Sequence, residues 1–294
     1  MSTYYRLNPL WMQAMGLEDL FINSSQETKT QDVNIASAPK TITQEIASIS
    51  KQTNNLDSKN IITKTSTATL KNITDDNYRI KEIKLDINDK GINNARMLAN
   101  KASNLDELQK IVNEFNECDL KKASTRTVFA DGRREARVML IGEAPGATED
   151  AEGIPFCGEC GKLLDNIFAS IGFSREKNLY ISNTVFWRPP ANRAPTQYEV
   201  EICKPFVEKH IALIKPQLLI LVGSTAVSSL LGGNFQISKI RSNYYKYINQ
   251  YLEVEIDCTA IFHPAYLLRQ PGQKKATWHD LMQIKDYLIK AGVV

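Results

Sequence analysis

The sequence predicts an α/β fold, a three-layer α/β/α domain around a central, mainly parallel four-stranded sheet. Three observations lead there. First, four short runs, "ARVMLIG" (136–142), "NLYISNTV" (178–185), "PQLLILVG" (216–223) and "IDCTAIFHP" (256–264), have strand length and are almost continuously apolar. That is how strands covered on both faces read. Second, segments with helical spacing lie between and after these runs, which is the alternation of a parallel sheet. Third, the unusual residues gather in the loops after the strands (142–160, 184–196 and 263–272), where open α/β sheets hold their ligands.

Taken in order, residues 1–22 place Leu10, Trp11, Met15, Leu17 and Leu20 roughly on one side of a short amphipathic helix. Residues 23–85 change to Ser, Thr, Asn, Gln and Lys with few aromatics, a composition too polar to offset the entropy of ordering. A disordered linker is expected there, followed by one domain over 86–294. Helical spacing resumes near residue 90 and strengthens in "NLDELQKIVNEF", with Asn104 as N-cap and Glu107 three residues on. The first two strands are followed by the helical segments "GKLLDNIFASIG" and "QYEVEICKPFVEKHIALI". The last two are followed by "STAVSSLLG" and "KKATWHDLMQIKDYLIKAG", and "YYKYINQYLEVE" suggests an extra hairpin before the last strand.

The bulk properties exclude more than they select. The chain has 294 residues, 43% hydrophobic and 23% charged, enough for one sizeable domain with an appendage. A formal charge of +3 suits weak attraction to a polyanion. No run of about 18 apolar residues is present, so no transmembrane helix is expected. The N-terminus has no basic segment leading into an apolar core, unlike a secretory signal. Five cysteines, an odd number, do not suggest a disulfide scaffold; the expected setting is the reducing cytoplasm.

The stretch "IGEAPGATEDAEGIPFCGECGKLLD" (141–165) admits three chemistries. A phosphate cradle fits badly: Gly161-Lys162 is followed by Leu163, no G-x-G-x-x-G follows the strand, and Glu143, Glu149, Asp150 and Glu152 would repel phosphate. A metal knuckle has only Cys157 and Cys160, with Cys118, Cys203 and Cys258 isolated from one another. The pair reads better as small, soft side chains in a tight loop. A pocket is the third possibility, and the other loops support it. Asn183 ends the second strand, Asn192 lies in a proline-flanked loop, and His263 ends the last strand. Each has a plainer use: a turn cap, an Asx-turn, a satisfied loop histidine. Together, an acid, an aromatic, two carboxamides and a histidine on one end of one sheet make an active-site constellation.

"GEAPGATEDAEGIPFCGECGKLLD", "SNTVFWRPPANRAPT" and "HPAYLLR" resemble the motifs of the family 4 (type-4, thermophile-type) uracil-DNA glycosylases. With "VFADG" and "WRPP" they resemble its alphaproteobacterial branch, over roughly residues 100–294. The resemblance implies a monofunctional enzyme that hydrolyses the N-glycosidic bond of a flipped-out uracil in DNA and leaves an abasic site for base-excision repair. It places the Gly142-Glu143 loop against the base, with Glu143 as the candidate for the hydrolytic step. It makes Phe156 the stacking platform, Asn183 the reader of the uracil edge, Asn192 a helper near sugar and water, and His263 the group facing uracil O2. Leu267 or Leu268 would wedge into the duplex, with Arg269, Lys274 and Lys275 near phosphates. A solvated helix start accounts for those three cations equally well.

The chemistry supports these identities independently. Breaking the bond builds positive charge on the sugar and negative charge on the base, and a fixed donor such as His263 at O2 stabilises the leaving anion. Glu143 can orient water or stabilise the sugar cation. Ala144 stands where the best-studied glycosylase family has a catalytic aspartate, so the resemblance leaves the role of Glu143 open. The Asn183 carboxamide can accept from N3–H and donate to O4, whereas cytosine reverses both groups. Unstacking the base comes first, and it is cheaper from a mispair or a single strand.

One part of the family pattern is broken. Four cysteines of this family hold a 4Fe–4S cluster; the corresponding positions here are Phe115, Cys118, Trp187 and Cys203. Two of four thiolates are missing, so no cluster is expected, and the two aromatics would fill its volume. No cofactor is expected for the chemistry. The expected partner is uracil-containing DNA, single- or double-stranded, with no membrane and a monomeric enzyme; the N-terminal helix could hold a protein partner or fold back. The competing functions are a non-hydrolytic uracil- or abasic-DNA binding or trapping protein, and a thiol-based redox module.

Overall fold

The computed structural model describes residues 89–233 and 235–293. The expected N-terminal helix (1–22) and polar linker (23–85) lie outside the described residues. Two helices open the described part, α1 (Lys90–Lys101) and α2 (Leu105–Glu114). Asn104 caps α2 as its sequence suggests: Oδ1 accepts from Glu107 N at 2.9 Å, and the Glu107 carboxylate takes Ser103 N at 2.8 Å in return. A one-turn helix, α3 (Asp119–Ala123), leads into the sheet.

Among the described residues six strands form one sheet, β1 (Asp131–Gly132), β2 (Val138–Gly142), β3 (Leu179–Asn183), β4 (Leu218–Val222), β5 (Tyr245–Tyr247) and β6 (Ile256–Ile261), in the spatial order β1-β3-β2-β4-β6-β5. The inner four are parallel, as the apolar runs predict; β1 and β5 add short antiparallel edges. The expected extra hairpin takes a different form. β5 pairs with β6 itself, Tyr245 opposite Cys258, so the hairpin's second arm is the last parallel strand.

Every residue of β2, β3 and β4 is buried, which explains why these strands read as unbroken apolar runs rather than alternating ones. The two-residue period instead sorts side chains between two cores. Met139, Ile141, Leu219 and Leu221 face one; Val138, Leu140, Leu218 and Ile220 face the other. The first core is closed by α1, α2, α6 (Gln197–Ile214) and α7 (Ser224–Leu231). The second is closed by α5 (Glu159–Ala169), α9 (Pro264–Arg269) and α10 (Lys274–Lys290). Two further short helices, α4 (Ala147–Glu152) and α8 (Ile237–Ile240), lie in connections.

This topology fixes where a ligand can bind. From β2 the chain crosses to β3 on one side; from β4 it crosses to β6 on the other. The crevice between outgoing connections therefore opens at the carboxyl ends of the adjacent strands β2 and β4. Register makes those ends flush, since Gly142 pairs with Asn183 and Val222 with Ile261. The loops that carried the unusual sequence all leave from this one level.

Candidate active site

A cavity of about 750 Å³ lies at that end of the sheet. Its walls include Glu143, Phe156, Asn192, His263 and Arg269, brought together from segments spread over more than a hundred residues. Asn183 lies just behind the wall, 1% exposed. Its Oδ1 and the edge of the Phe156 ring both crowd the Cα of Gly142. A Cβ there would lie 2.4 Å from Phe156 Cζ and 2.5 Å from Asn183 Oδ1, so any larger residue would have to displace the ring or the carboxamide.

Phe156 is held in a left-handed backbone conformation, φ 52°, which a bulky residue adopts only when its surroundings impose it. Arg175 is one of the constraints. Its guanidinium donates to the Pro155 carbonyl at 2.7 Å and to the Phe156 carbonyl, and is anchored by Asp165 at 2.8 Å and Asp131 at 3.0 Å. Gly161 is the other: a Cβ there would fall 1.6 Å from the Phe156 carbonyl oxygen. Glu149 ties the two loops together, accepting from Gly146 N at 3.0 Å and Gly158 N at 2.9 Å. The buried Asp150 accepts from Thr125 N at 2.8 Å. Acids that argue against phosphate in the sequence are thus loop braces.

His263 is the N-cap of α9, and its Nδ1 accepts from Ala265 N at 3.2 Å. A ring nitrogen that accepts carries no proton, so the neutral imidazole has its N–H on Nε2. Burial lowers the His263 pKa below the ordinary imidazole value, with Glu143 opposing that shift. The neutral form is the one the site favours. The ring lies 5.7 Å from that of Phe156, and its Cβ would be 3.0 Å from a Cβ at Gly223, a position with φ 93°.

Glu143 is gripped from both neighbouring strands. Thr184 Oγ1, after β3, donates to its carbonyl at 2.6 Å; Thr225 Oγ1, after β4, donates to its carboxylate Oε2. Asn192 stands exposed at the rim with φ 55°, and its Oδ1 is taken by Arg188 Nε at 2.7 Å. Its NH₂ and the second lone pair of that oxygen are left to offer. The rest of "NRAPT" starts α6: Thr196 and Glu199 cap it reciprocally, and Arg193 grips Glu199 at 2.6 and 2.8 Å.

The two candidate wedge residues part company. Leu267 is fully buried, packed into the core with α5 and α10, and cannot reach a duplex; this corrects the expectation for that residue. Leu268 is 44% exposed. Arg269 is exposed at the cavity mouth, Lys275 is exposed, and Lys274 is partly buried at the start of α10. Cys160 also lines the cavity.

The four positions where the resemblance puts cluster ligands do converge, but as packing. Phe115 stacks on Trp187 with centroids 6.4 Å apart and meets Phe206 edge-on at 5.0 Å. Trp187 Nε1 donates to Thr127 Oγ1 at 3.1 Å. Cys118 and Cys203 are buried, and burial holds the Cys203 thiol well above its ordinary pKa. Two thiols, one held protonated, and two rings do not fit a cluster that takes four thiolates.

An acid, an aromatic ring and a histidine thus line one crevice at a strand-order switch, where open α/β sheets hold their ligands. The description "Uracil DNA glycosylase superfamily" matches residues 129–282, and the chain belongs to that family. It is 35% identical to the type-4 uracil-DNA glycosylase of Sulfurisphaera tokodaii over 193 residues, 63% of this chain and 86% of that protein. Identity is also 35% to the type-4 enzyme of Archaeoglobus fulgidus, over 62% of this chain and 92% of that one. The type-4 enzyme of Thermotoga maritima is 33% identical, over 64% and 98%.

Proposed function

We propose that this chain is a monofunctional uracil-DNA glycosylase that hydrolyses the N-glycosidic bond of a flipped-out uracil in DNA. The observation that carries the reading is Asn183 Oδ1, a buried acceptor without a partner beside the stacking ring. An unmade buried hydrogen bond costs roughly 1–3 kcal/mol, and uracil N3–H is the donor that would offset it. Uracil O4 takes the Asn183 NH₂. Cytosine, with an acceptor at N3, leaves the same oxygen unpaired.

His263 Nε2–H donates to uracil O2, where negative charge gathers as the bond breaks. A neutral donor suffices because the leaving uracil anion is stable. The free oxygen of Glu143 faces the sugar side, orienting water or stabilising the oxocarbenium ion. Asn192, its oxygen engaged by Arg188, acts as a donor to sugar or phosphate oxygens. Leu268 takes the space the extruded base leaves, and Arg269, Lys274 and Lys275 follow the backbone. The chemistry needs no cofactor. We infer that the aromatic packing at Phe115 and Trp187 stands in place of the family's cluster.

The test is uracil release from a uracil-containing oligonucleotide by the purified protein, with His263→Ala alongside and iron measured on the same preparation. Release by the wild type, reduced about 10²–10³-fold in the variant, is expected, since that is what loss of one oxyanion donor costs. Tight binding without release would favour a binding or trapping protein, and stoichiometric iron would overturn the cluster-free inference.

A further inference from the structure

Glu143 follows the end of β2, and Thr225 is the second residue of the helix that follows β4, the strand paired directly with β2. Thr225 Oγ1 donates to Glu143 Oε2. On the other flank Thr184 Oγ1 holds the Glu143 carbonyl at 2.6 Å, and Thr184 N bonds the Gly142 carbonyl at 2.9 Å. The backbone of the catalytic loop is therefore fixed from β3, while the carboxylate itself is fixed from β4. A glutamate side chain has three rotatable bonds and, unheld, samples many rotamers. A hydroxyl on Oε2 narrows the rotamers open to the carboxylate and leaves Oε1 as the oxygen free to act.

We propose that Thr225 is a positioning residue for the glycosylase reaction, orienting the Glu143 carboxylate so that Oε1 alone acts on the sugar or its attacking water. This rests on the glycosylase reading above. Thr225 does not touch the base; it acts through Glu143. A misplacement of about 1 Å can cost on the order of 10²-fold in rate, so loss of the hydroxyl should show in turnover rather than in binding.

The experiment compares Thr225→Val, which keeps the shape and removes the donor, with Thr225→Ser, which keeps the donor. Each is measured for kcat and KM on a single-stranded uracil oligonucleotide, alone and combined with Glu143→Gln, and unfolding midpoints check that all variants fold. Thr225→Val should lower kcat about 10–100-fold with KM within about threefold, and Thr225→Ser should stay within about threefold of the wild type. In the Glu143→Gln background Thr225→Val should add little, because both changes disable one device. An unchanged kcat in Thr225→Val, an equal loss in Thr225→Ser, or a full additional loss in the double variant would each overturn the inference while leaving the glycosylase reading intact. Absence of uracil release by the wild type would overturn that reading, and this inference with it.

Discussion

The crevice at the strand ends and the aromatic packing around Trp187 each hold a histidine, half-buried in the first and fully buried in the second. His263 has its Nδ1 engaged by backbone and lines the cavity. His210 is fully buried, stacked on Phe129 at 4.3 Å with Nε2 on the Tyr180 hydroxyl at 2.8 Å, while its Nδ1 has no partner. From His210 a file of rings runs through Phe129, Phe186 and Trp187 to Phe115. Each region holds one unpaired buried atom, Asn183 Oδ1 in the first and His210 Nδ1 in the second, but only the first adds left-handed backbone, at Phe156 and Asn192. The strained backbone borders an open cavity of about 750 Å³, whereas around Trp187 ring packs against ring. Where no ligand enters, side chains close up to native density.

The comparison can be broken at either end. The largest effect is expected from Asn183→Ala. Removing matched contacts to a base edge lowers uracil excision by about 10³-fold or more, while stability changes by less than about 1 kcal/mol because the lost oxygen had no partner to strand. Kinetics and a denaturation curve on one preparation check both halves. If stability fell steeply and activity did not, Asn183 would belong to the core.

Trp187→Ala should do the opposite. Emptying so large a buried ring costs about 3–5 kcal/mol, read as a lower unfolding midpoint. Excision by the fraction that remains folded should stay within a few-fold. A selective loss of turnover at unchanged stability would tie this packing to the catalytic end.

The smallest effect is a pH slope. Burial pushes the His210 pKa down to about 3, against an ordinary 6.5. Above about pH 6.5 both folded and unfolded chains hold it neutral, so stability is flat there for this group. As pH falls from 6.5 towards 3, the unfolded chain gains a proton that the folded one refuses. Stability should drop by up to ~1.4 kcal/mol per pH unit. Denaturation series across that window should show the slope in the wild type and lose this part of it in His210→Gln.

Much of this was legible before any coordinates. The four parallel strands, the Asn104 cap, the exit of every unusual loop at one end of the sheet and the grouping of Glu143, Phe156, Asn192 and His263 follow from short-range patterns. A strand buried on both faces, a cap and a strand-end loop each write their requirement into adjacent residues. The local alternation of "YYKYINQYLEVE" does not reveal that β5 pairs with β6, because an antiparallel partner is chosen by distance in space. Leu267 and Leu268 are neighbours in a motif, and only the packing of α9 decides which is core and which is surface.

The sequence by itself determined the sheet and the family motifs, because these depend on residue identity and on periods of two and 3.6. It did not determine how the motifs are held. Arg175 on the Phe156 carbonyl, Glu149 between two loops, Arg188 on the Asn192 oxygen and Thr225 on the Glu143 carboxylate carry no local signature. Each is a hydrogen bond whose partners meet only after the chain has folded. A donor's identity says what it can bind, and the tertiary structure alone brings an acceptor within about 3 Å of it.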